Sequence, residues 1–129
     1  MARVFMSYDR GSARYARSLS AALRAIGVRT YSASDAVREG ESISDGIRTS
    51  MKSSDTLVVI LTNQSARSRV IAFEIGAAEA LGKQVIPVLL GDIDLDRLDY
   101  LARDQFLDGR RLSLRQTALR IKTLTENRD

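Results

Sequence analysis

The chain has 129 residues, of which 44% are hydrophobic and 28% charged, and this balance predicts one globular domain, residues 1–129, rather than a disordered chain. It contains no His and no Cys, which excludes imidazole and thiolate groups as catalytic bases, nucleophiles or metal ligands. The net charge is +4, but aromatic residues make up only 5% of the chain, so base-stacking surfaces are scarce and nucleic acid is not the expected partner.

The sequence shows neither a membrane span nor an export signal. No apolar run approaches the roughly 20 residues needed to cross a bilayer. The first residues, Met1-Ala2-Arg3, lead directly into a strand-like segment, whereas a signal peptide would continue into a longer apolar run. These observations predict a cytoplasmic protein that makes no membrane contact.

Strand-like and helix-like segments alternate from the start of the chain. A short apolar run at Val4-Phe5-Met6 predicts the first strand. A helix follows, and Gly27 predicts its end because glycine readily adopts the left-handed conformation that terminates helices. Residues 28–31 predict the second strand, and Ser42 with Asp45 three residues later predicts a capped second helix.

The alternation continues in the second half of the chain. Residues 56–61 form a continuous apolar run, as burial on both faces of a parallel sheet requires. A third helix is predicted from about Ser68 to Leu81, ending at Gly82. Residues 85–90 predict the fourth strand, with Pro87 near a break in strand pairing because proline lacks a backbone donor.

The last elements are a short edge strand and a helix. Residues 105–107 predict the strand, and a helix from Ser113 is predicted to be capped by Gln116. Its apolar residues are Leu114, Ala118, Ile121 and Leu124. Five β-α units in this order predict an α/β fold, an open five-stranded parallel sheet with helices on both faces.

Charged residues are distributed unevenly along the chain. Four basic residues recur at helical spacing, Arg10, Arg14, Arg17 and Arg24. Acidic residues crowd a later segment, at Asp92, Asp94, Asp96, Asp99, Asp104 and Asp108. In one interpretation each set is a solvated face; in the other, the basic patch of one copy binds the acidic patch of the next.

Glu74 stands out because its immediate neighbours, Phe73 and Ile75, are apolar, near the start of the predicted third helix. In one interpretation the helix simply turns this residue toward water. In the other, the carboxylate lies at the bottom of a pocket, where partial desolvation adapts it to chemistry. The pattern leaves both interpretations open.

Common ligand motifs are missing at the predicted ligand-binding edge of the sheet, where the carboxyl ends of the strands meet. No G-x-G-x-x-G follows the first strand and no G-x-x-x-x-G-K-[ST] occurs, so neither a Rossmann dinucleotide site nor a P-loop is predicted. Asp9 stands alone after the first strand, which argues against the acid cluster of a phosphate-accepting receiver domain.

The order and spacing of the motifs resemble a TIR domain of the bacterial type over essentially the whole chain. The segments that carry the resemblance are residues 4–9, 27–31, 35–40, 56–61, 68–74 and 82–88. The resemblance implies a flavodoxin-like sheet and one of two kinds of activity. Some TIR domains are scaffolds that assemble through the loop after the second strand, and others cleave NAD+ between nicotinamide and ribose, often upon self-association and in antiviral defence.

The resemblance also implies a catalytic role for Glu74. In the family a glutamate lies on the third helix within a Ser-x-Trp-Cys-x-x-Glu pattern, and Ser68 and Glu74 match it. Val70 and Ile71 replace the tryptophan and the cysteine. A further departure is Ala33, where relatives often place an acid.

Other predicted substrate-binding residues follow from the same resemblance. Ser7, Tyr8 and Arg10 lie at and after the end of the first strand, where relatives line the nicotinamide and ribose end of NAD+. Asp35, Arg38 and Gly40 fit the loop after the second strand; Arg38 would contact a phosphate or a neighbouring subunit. Val70 and Ser68 complete the set.

Three hypotheses follow. In the first, the domain cleaves NAD+ or a related nucleotide, which is a substrate, so no cofactor is required. In the second, it is a non-catalytic scaffold that self-associates through residues 35–42 and its helix faces. In the third, it binds a nucleoside or nucleotide without turnover. The retained Glu74 favours the first, and the replacements at Val70 and Ala33 favour the second.

Overall fold

Five parallel strands form one sheet in the order β2-β1-β3-β4-β5. This architecture comes from a computed structural model that describes residues 2–32, 52–91, 93 and 106–126, without the side chains of Ala66 and Val70. The strands are β1 (Arg3–Ser7), β2 (Arg29–Ser32), β3 (Thr56–Leu61), β4 (Gln84–Leu89) and β5 (Leu107–Asp108). The predicted second helix and most of the acidic segment lie outside the described residues.

Helices cover both faces of the sheet, and the predicted flavodoxin-like α/β fold is confirmed. The described helices are α1 (Ala13–Ala25), α2 (Arg69–Ala80) and α3 (Leu114–Glu126). On one face, α2 packs against β3 and β4; on the other, α1 and α3 pack against each other. Within the described ranges, no helix has the length and apolarity of a membrane span.

Two apolar layers, one on each face of the sheet, form the core. The α2 layer is built from Phe5, Leu57, Val59, Leu61, Ile71, Ile75, Ala78, Val85 and Leu89. The α1/α3 layer is built from Val4, Met6, Ala16, Leu19, Leu23, Val28, Val58, Ile60, Ile86, Val88, Leu107, Ala118 and Ile121. Every residue of β3 is buried, which explains why its sequence is continuously apolar rather than alternating.

The predicted helix ends are confirmed by their local geometry. Gly27 and Gly82 both have positive φ, +88° and +69°, directly after the C-cap residues of α1 and α2. At the start of α3, the Ser113 backbone N–H donates to Gln116 Oε1 at 2.9 Å, and the Gln116 N–H donates to Ser113 Oγ at 3.1 Å. This reciprocal pair is the capping box that the sequence predicted.

Strand boundaries differ from the prediction by one or two residues. Val28 is buried but precedes β2, because its N–H still donates to the Leu23 carbonyl at 3.0 Å and closes the end of α1. The fifth strand pairs Leu107 and Asp108 with β4, so its predicted position, residues 105–107, was too early. Leu114, expected on the buried face of α3, is 36% exposed because it is the first residue of that helix.

Pro87 lies where the prediction placed it, next to a break in pairing. Among the described residues, the ladder between β4 and β5 involves only Val88 and Leu89 of β4. The Leu89 carbonyl accepts from the Gly109 N–H at 2.8 Å, so the backbone groups of Leu89, and of Pro87 two residues earlier, face the β5 side. Because the ladder has not begun at Pro87, no donor is needed there.

Gly109, just after β5, lies too close to its neighbours for a side chain. A Cβ atom there would come within 2.8 Å of Leu90 Cδ2 and within 3.0 Å of both Tyr15 Oη and Val88 Cγ1. We expect Gly109→Ala to lower the free energy of unfolding by about 1–3 kcal/mol, measured by urea denaturation.

Gly76 provides the matched control for this substitution. It lies in α2, and a Cβ atom there would meet nothing within 4 Å. Gly76→Ala should therefore raise the free energy of unfolding by about 0.5–1 kcal/mol, because alanine is the better helix former. A Gly109→Ala protein as stable as the unsubstituted chain would show that the contacts around Gly109 relax without cost.

Candidate functional site

Glu74 is buried on the sheet-facing side of α2. Its side chain is 3% exposed, whereas that of Phe73, the preceding residue, is 51% exposed. Helical spacing places Glu74 on the same face as Ile71, Ile75 and Ala78, which belong to the α2 layer of the core. The interpretation in which the helix turns Glu74 toward water is therefore wrong.

Ser7, the last residue of β1, is the polar neighbour of Glu74. The alternation of side chains along β1 places Ser7 on the same face as Phe5, which packs in the α2 layer. Ser7 Oγ and Glu74 Oε2 are both buried, and neither has a hydrogen bond of ordinary geometry within the described part of the chain. The Ser7 hydroxyl nevertheless lies close enough to favour the ionised form of the Glu74 carboxyl.

Burial raises the pKa of Glu74 from 4.5 to about 7, and the Ser7 hydroxyl opposes part of that rise. Desolvation is the dominant cause, because an apolar surrounding disfavours the charged form of a carboxyl group. Near neutral pH the site therefore holds protonated and ionised Glu74 in comparable amounts. A carboxylate that ionises at this pH, inside an apolar layer, is adapted to interact with a positive charge.

The site lies beside the point where the strand order of the sheet reverses. From β1 the chain moves outward in one direction to β2, and β3 then lies on the other side of β1. In open parallel sheets, ligands bind in the crevice at the carboxyl ends of the strands next to this reversal. Ser7 ends β1 at this place and pairs with Val59 of β3, which continues to Leu61 before the loop to α2 begins at Thr62.

The loop between β3 and α2 is held by short hydroxyl contacts. The Thr62 backbone N–H donates to Ser65 Oγ at 2.6 Å, and the Ser65 hydroxyl donates to the Ile60 carbonyl at 3.2 Å. Ser68 is the N-cap of α2, and its Oγ accepts from the Ile71 N–H at 3.3 Å. These contacts fix where α2 begins and, one and a half turns later, where Glu74 lies.

The structure brings together some of the predicted site residues and separates others. Ser7 lies beside Glu74, and Ser68 caps the helix that carries it. Tyr8 instead packs against the α1/α3 layer and lines a cleft beside α1. Arg10 is exposed in a 3-10 helix, Arg10–Ser12, that precedes α1.

The remaining predicted residues lie outside the described part of the chain. These are Asp35, Arg38, Gly40 and the side chain of Val70. Their proposed contacts with substrate or with a second copy stay predictions, as does self-association through residues 35–42.

Two features of the site region were not recognised in the sequence. Asp9 is a helix cap, because its Oδ1 accepts from the Ser12 N–H at 3.1 Å and from the Ser12 hydroxyl at 2.9 Å. The spacing of three residues between Asp9 and Ser12 carried that signal. The alternation along β1 could have shown that Ser7 shares a face with Phe5, two residues earlier, but its contact with Glu74 depends on the packing of α2.

Comparisons with known proteins agree with this architecture. The sequence model of the TIR domain matches residues 4–123. A solved TIR domain, from the Toll-related receptor TRR-2 of Hydra magnipapillata, has a TM-score of 0.81 at 17% identity and covers 96% of this chain and 98% of its own. A search among curated proteins found no match.

Two further solved structures share the fold. One is the set of TIR domains in the activated Roq1 resistosome, which directly recognises the pathogen effector XopQ. It has a TM-score of 0.63 at 20% identity, and the match covers 98% of this chain and 72% of that one. The 2-desoxiribosyltransferase from Leishmania mexicana has a TM-score of 0.64 at 17% identity, covering 98% and 99%. At these identities the likeness concerns the fold alone.

The fold and the buried acid define a doubly wound α/β protein with a candidate crevice site at its strand reversal. The chain belongs to the TIR domain family. The resemblance recognised in the sequence is thereby confirmed.

Proposed function

We propose that this TIR domain binds NAD+ and cleaves the bond between nicotinamide and ribose, in the cytoplasm, as part of bacterial antiphage defence or immune signalling, and that self-association activates it. The observation that carries the proposal is Glu74, a carboxyl group buried beside Ser7 next to the strand reversal, with its pKa raised to about 7. Within the described part of the chain Glu74 forms no ion pair, so its ionised form destabilises the fold, and binding of a cationic substrate would offset that cost.

The chemistry needs only one acid residue. The nicotinamide ring of NAD+ is cationic and leaves as a neutral molecule, so no general acid has to protonate the leaving group, in contrast to an ordinary glycoside. Positive charge then develops on the ribose. The ionised Glu74 carboxylate stabilises that charge and accepts a hydrogen bond from a ribose hydroxyl.

The composition of the chain is consistent with a reaction that needs only one acid residue. The absence of His and Cys excludes the usual bases and nucleophiles, and the proposed reaction requires neither. Water that captures the ribosyl cation gives ADP-ribose, whereas a nucleophile within the same molecule gives a cyclic product. Both products require the same departure of nicotinamide.

Nicotinamide release from NAD+ tests the proposal. Concentrated protein, with and without a crowding agent, is incubated with NAD+, and nicotinamide is quantified over time. Glu74→Gln keeps the size of the side chain but cannot ionise, so we expect it to lower the rate by about 100-fold or more. Equal rates for Glu74→Gln and the unsubstituted protein would exclude Glu74 from the chemistry.

Glu79→Gln is the matched control for this assay. Glu79 lies on the same helix, α2, but is exposed. The substitution removes one carboxylate from α2, as Glu74→Gln does, so it reproduces any general effect of charge on assembly. We expect its rate of nicotinamide release to stay within about twofold of the unsubstituted protein, as is usual for an exposed substitution.

A non-catalytic scaffold is the second candidate function. The observation in its favour is apolar exposure at α2: Phe73 within the helix is 51% exposed, and Leu81, directly after it, is 42% exposed. The same assay separates the two functions when assembly is followed by light scattering. Protein that assembles without releasing nicotinamide would support the scaffold.

A further inference from the structure

A polar cleft lies between α1 and the edge strand β2. It has a volume of about 260 Å³ and is lined on the α1 side by Arg17, Ser20 and Arg24, three residues at positions i, i+3 and i+7 of one helical stripe. Thr30 and Ser32 of β2 line the opposite side. Among the described residues of the lining, none is acidic.

The two guanidinium groups in this cleft have no counter-charge among the residues that the structure describes. Neither Arg17 nor Arg24 forms an ion pair within the described part of the chain, whereas Arg110 and Arg111 both pair with Asp108. Arg24 Nε donates to the Ser20 carbonyl at 3.4 Å, which holds its side chain along the helix toward Ser20. Concave surfaces lined by one sign of charge concentrate the field, so this cleft attracts anions.

The cleft is distinct from the site at Glu74. Ser7 faces the α2 layer with Glu74, whereas Tyr8, the next residue, packs against the α1/α3 layer and lines the cleft. Ala16, also in the lining, belongs to the α1/α3 layer. Tyr31 of the edge strand, which packs against the α2 layer, also lines the cleft. The cleft therefore lies mainly on the α1 side of the sheet, at its edge, whereas Glu74 lies on the α2 side.

We propose that this cleft binds a small phosphate-bearing molecule. Guanidinium groups donate paired hydrogen bonds to phosphate oxygens, and hydroxyl groups from Ser20 and Thr30 add neutral donors between them. Arg17 and Arg24 are seven residues apart, about 10 Å along the helix axis, which allows two flexible side chains to converge on one diphosphate.

The size of the cleft limits the ligand. Pockets for drug-sized ligands span roughly 300–1,000 Å³, so about 260 Å³ suits a compact phosphate ester or diphosphate better than an intact dinucleotide. A neighbouring hollow of about 340 Å³ shares Arg24, Thr30 and Tyr31 with the cleft and adds Arg29. A mononucleotide with its phosphate between Arg17 and Arg24 would extend toward Arg29.

Calorimetric titration with pyrophosphate and, separately, with AMP tests this site. We expect saturable binding of at least one of the two and at least a tenfold loss of affinity in the double variant Arg17→Gln/Arg24→Gln, which removes two charge-assisted contacts. The double variant Arg14→Gln/Arg115→Gln removes the same charge from exposed positions outside the lining. We expect its affinity to stay within about twofold, as for other surface changes.

Other outcomes of the titration overturn the proposal. Lack of saturation with both ligands would show that the cleft is not a phosphate site, and equal weakening by the two double variants would show diffuse attraction by surface charge. Binding that Glu74→Gln abolishes would place the ligand at the Glu74 site. Binding confined to vesicles that contain phosphatidylserine, without binding of the free phosphates, would assign the cations to a lipid surface.

Discussion

Glu74→Gln is expected to be more stable than the unsubstituted protein above neutral pH. Burial raises the pKa of Glu74 from 4.5 to about 7, so between these values the unfolded chain loses a proton that the folded protein retains. The folded state then binds more protons than the unfolded state, and the free energy of unfolding falls as pH rises through this window. Above about pH 7 Glu74 is ionised in both the folded and the unfolded state, and the free energy of unfolding does not fall further on its account.

The size of this effect follows from the shift in pKa. A rise from 4.5 to about 7 corresponds to a destabilisation on the order of 3 kcal/mol at alkaline pH. Glutamine cannot ionise, so Glu74→Gln removes this loss and keeps an amide of similar size in the same place. Thermal denaturation at several pH values measures this destabilisation. The Tm of the unsubstituted protein should fall as pH rises, and the Tm of Glu74→Gln should fall much less.

Glu79→Gln provides the comparison for the stability measurement, because Glu79 is exposed on the same helix. Its melting temperature should follow that of the unsubstituted protein at every pH. A Glu74→Gln protein that is less stable than the unsubstituted protein at alkaline pH would contradict the account. That result would mean that the ionised carboxylate has a stabilising partner in the fold.

The second expected result concerns the pH dependence of NAD+ cleavage. In the proposed reaction only the ionised form of Glu74 would stabilise positive charge on ribose, so kcat/KM should rise with pH through about 7 and then level off. Below that value the rate should fall by about tenfold per pH unit. The kcat profile should turn at lower pH, because the cationic substrate favours the ionised carboxylate.

Initial rates of nicotinamide release across roughly pH 5 to 9 measure this profile. The residual activity of Glu74→Gln should lack the rise through pH 7, while Glu79→Gln should retain it. A profile for the unsubstituted protein that is flat through pH 7, with its acid limb near 4.5, would contradict the account. Glu74 would then behave as a solvated carboxyl group.

The fold could be predicted from the sequence because each helix or strand is indicated by residues close together in the chain, at the spacing typical of that element. The continuous apolar run of β3 required burial on both faces, and Gly27 and Gly82 marked the ends of two helices through their backbone conformation. The capping pair Ser113 and Gln116 could also be recognised, since its spacing is fixed by helix geometry.

The candidate site was less predictable because it depends on contacts between distant segments. Glu74 lies on a helix whose apolar stripe is wide, so sequence alone left its direction open; packing against the sheet decided it. Ser7 and Glu74 are 67 positions apart, and only strand pairing and the packing of α2 bring them together. The cleft at Arg17 and Arg24 required the position of β2 relative to α1.

The departures from the family pattern at Val70 and Ala33 remain the main argument for a scaffold. Glu74 is nevertheless buried, beside a layer formed by Ile71, Ile75 and residues of the sheet. A desolvated acid lowers the free energy of unfolding of the domain at pH values above the pKa of that acid. An interaction module gains nothing from this loss of stability. We therefore regard the state of Glu74 as the more informative feature.

The pKa of Glu74 itself can be measured by carbon NMR of the isotopically labelled carboxyl group. The Glu74 signal is assigned by its absence from the spectrum of Glu74→Gln. We expect a pKa of about 7 in the free protein and a lower value with a non-cleavable carbocyclic NAD+ analogue bound, because the nicotinamide cation favours the carboxylate. A pKa near 4.5 that does not respond to the saturating analogue would contradict the proposed role of Glu74.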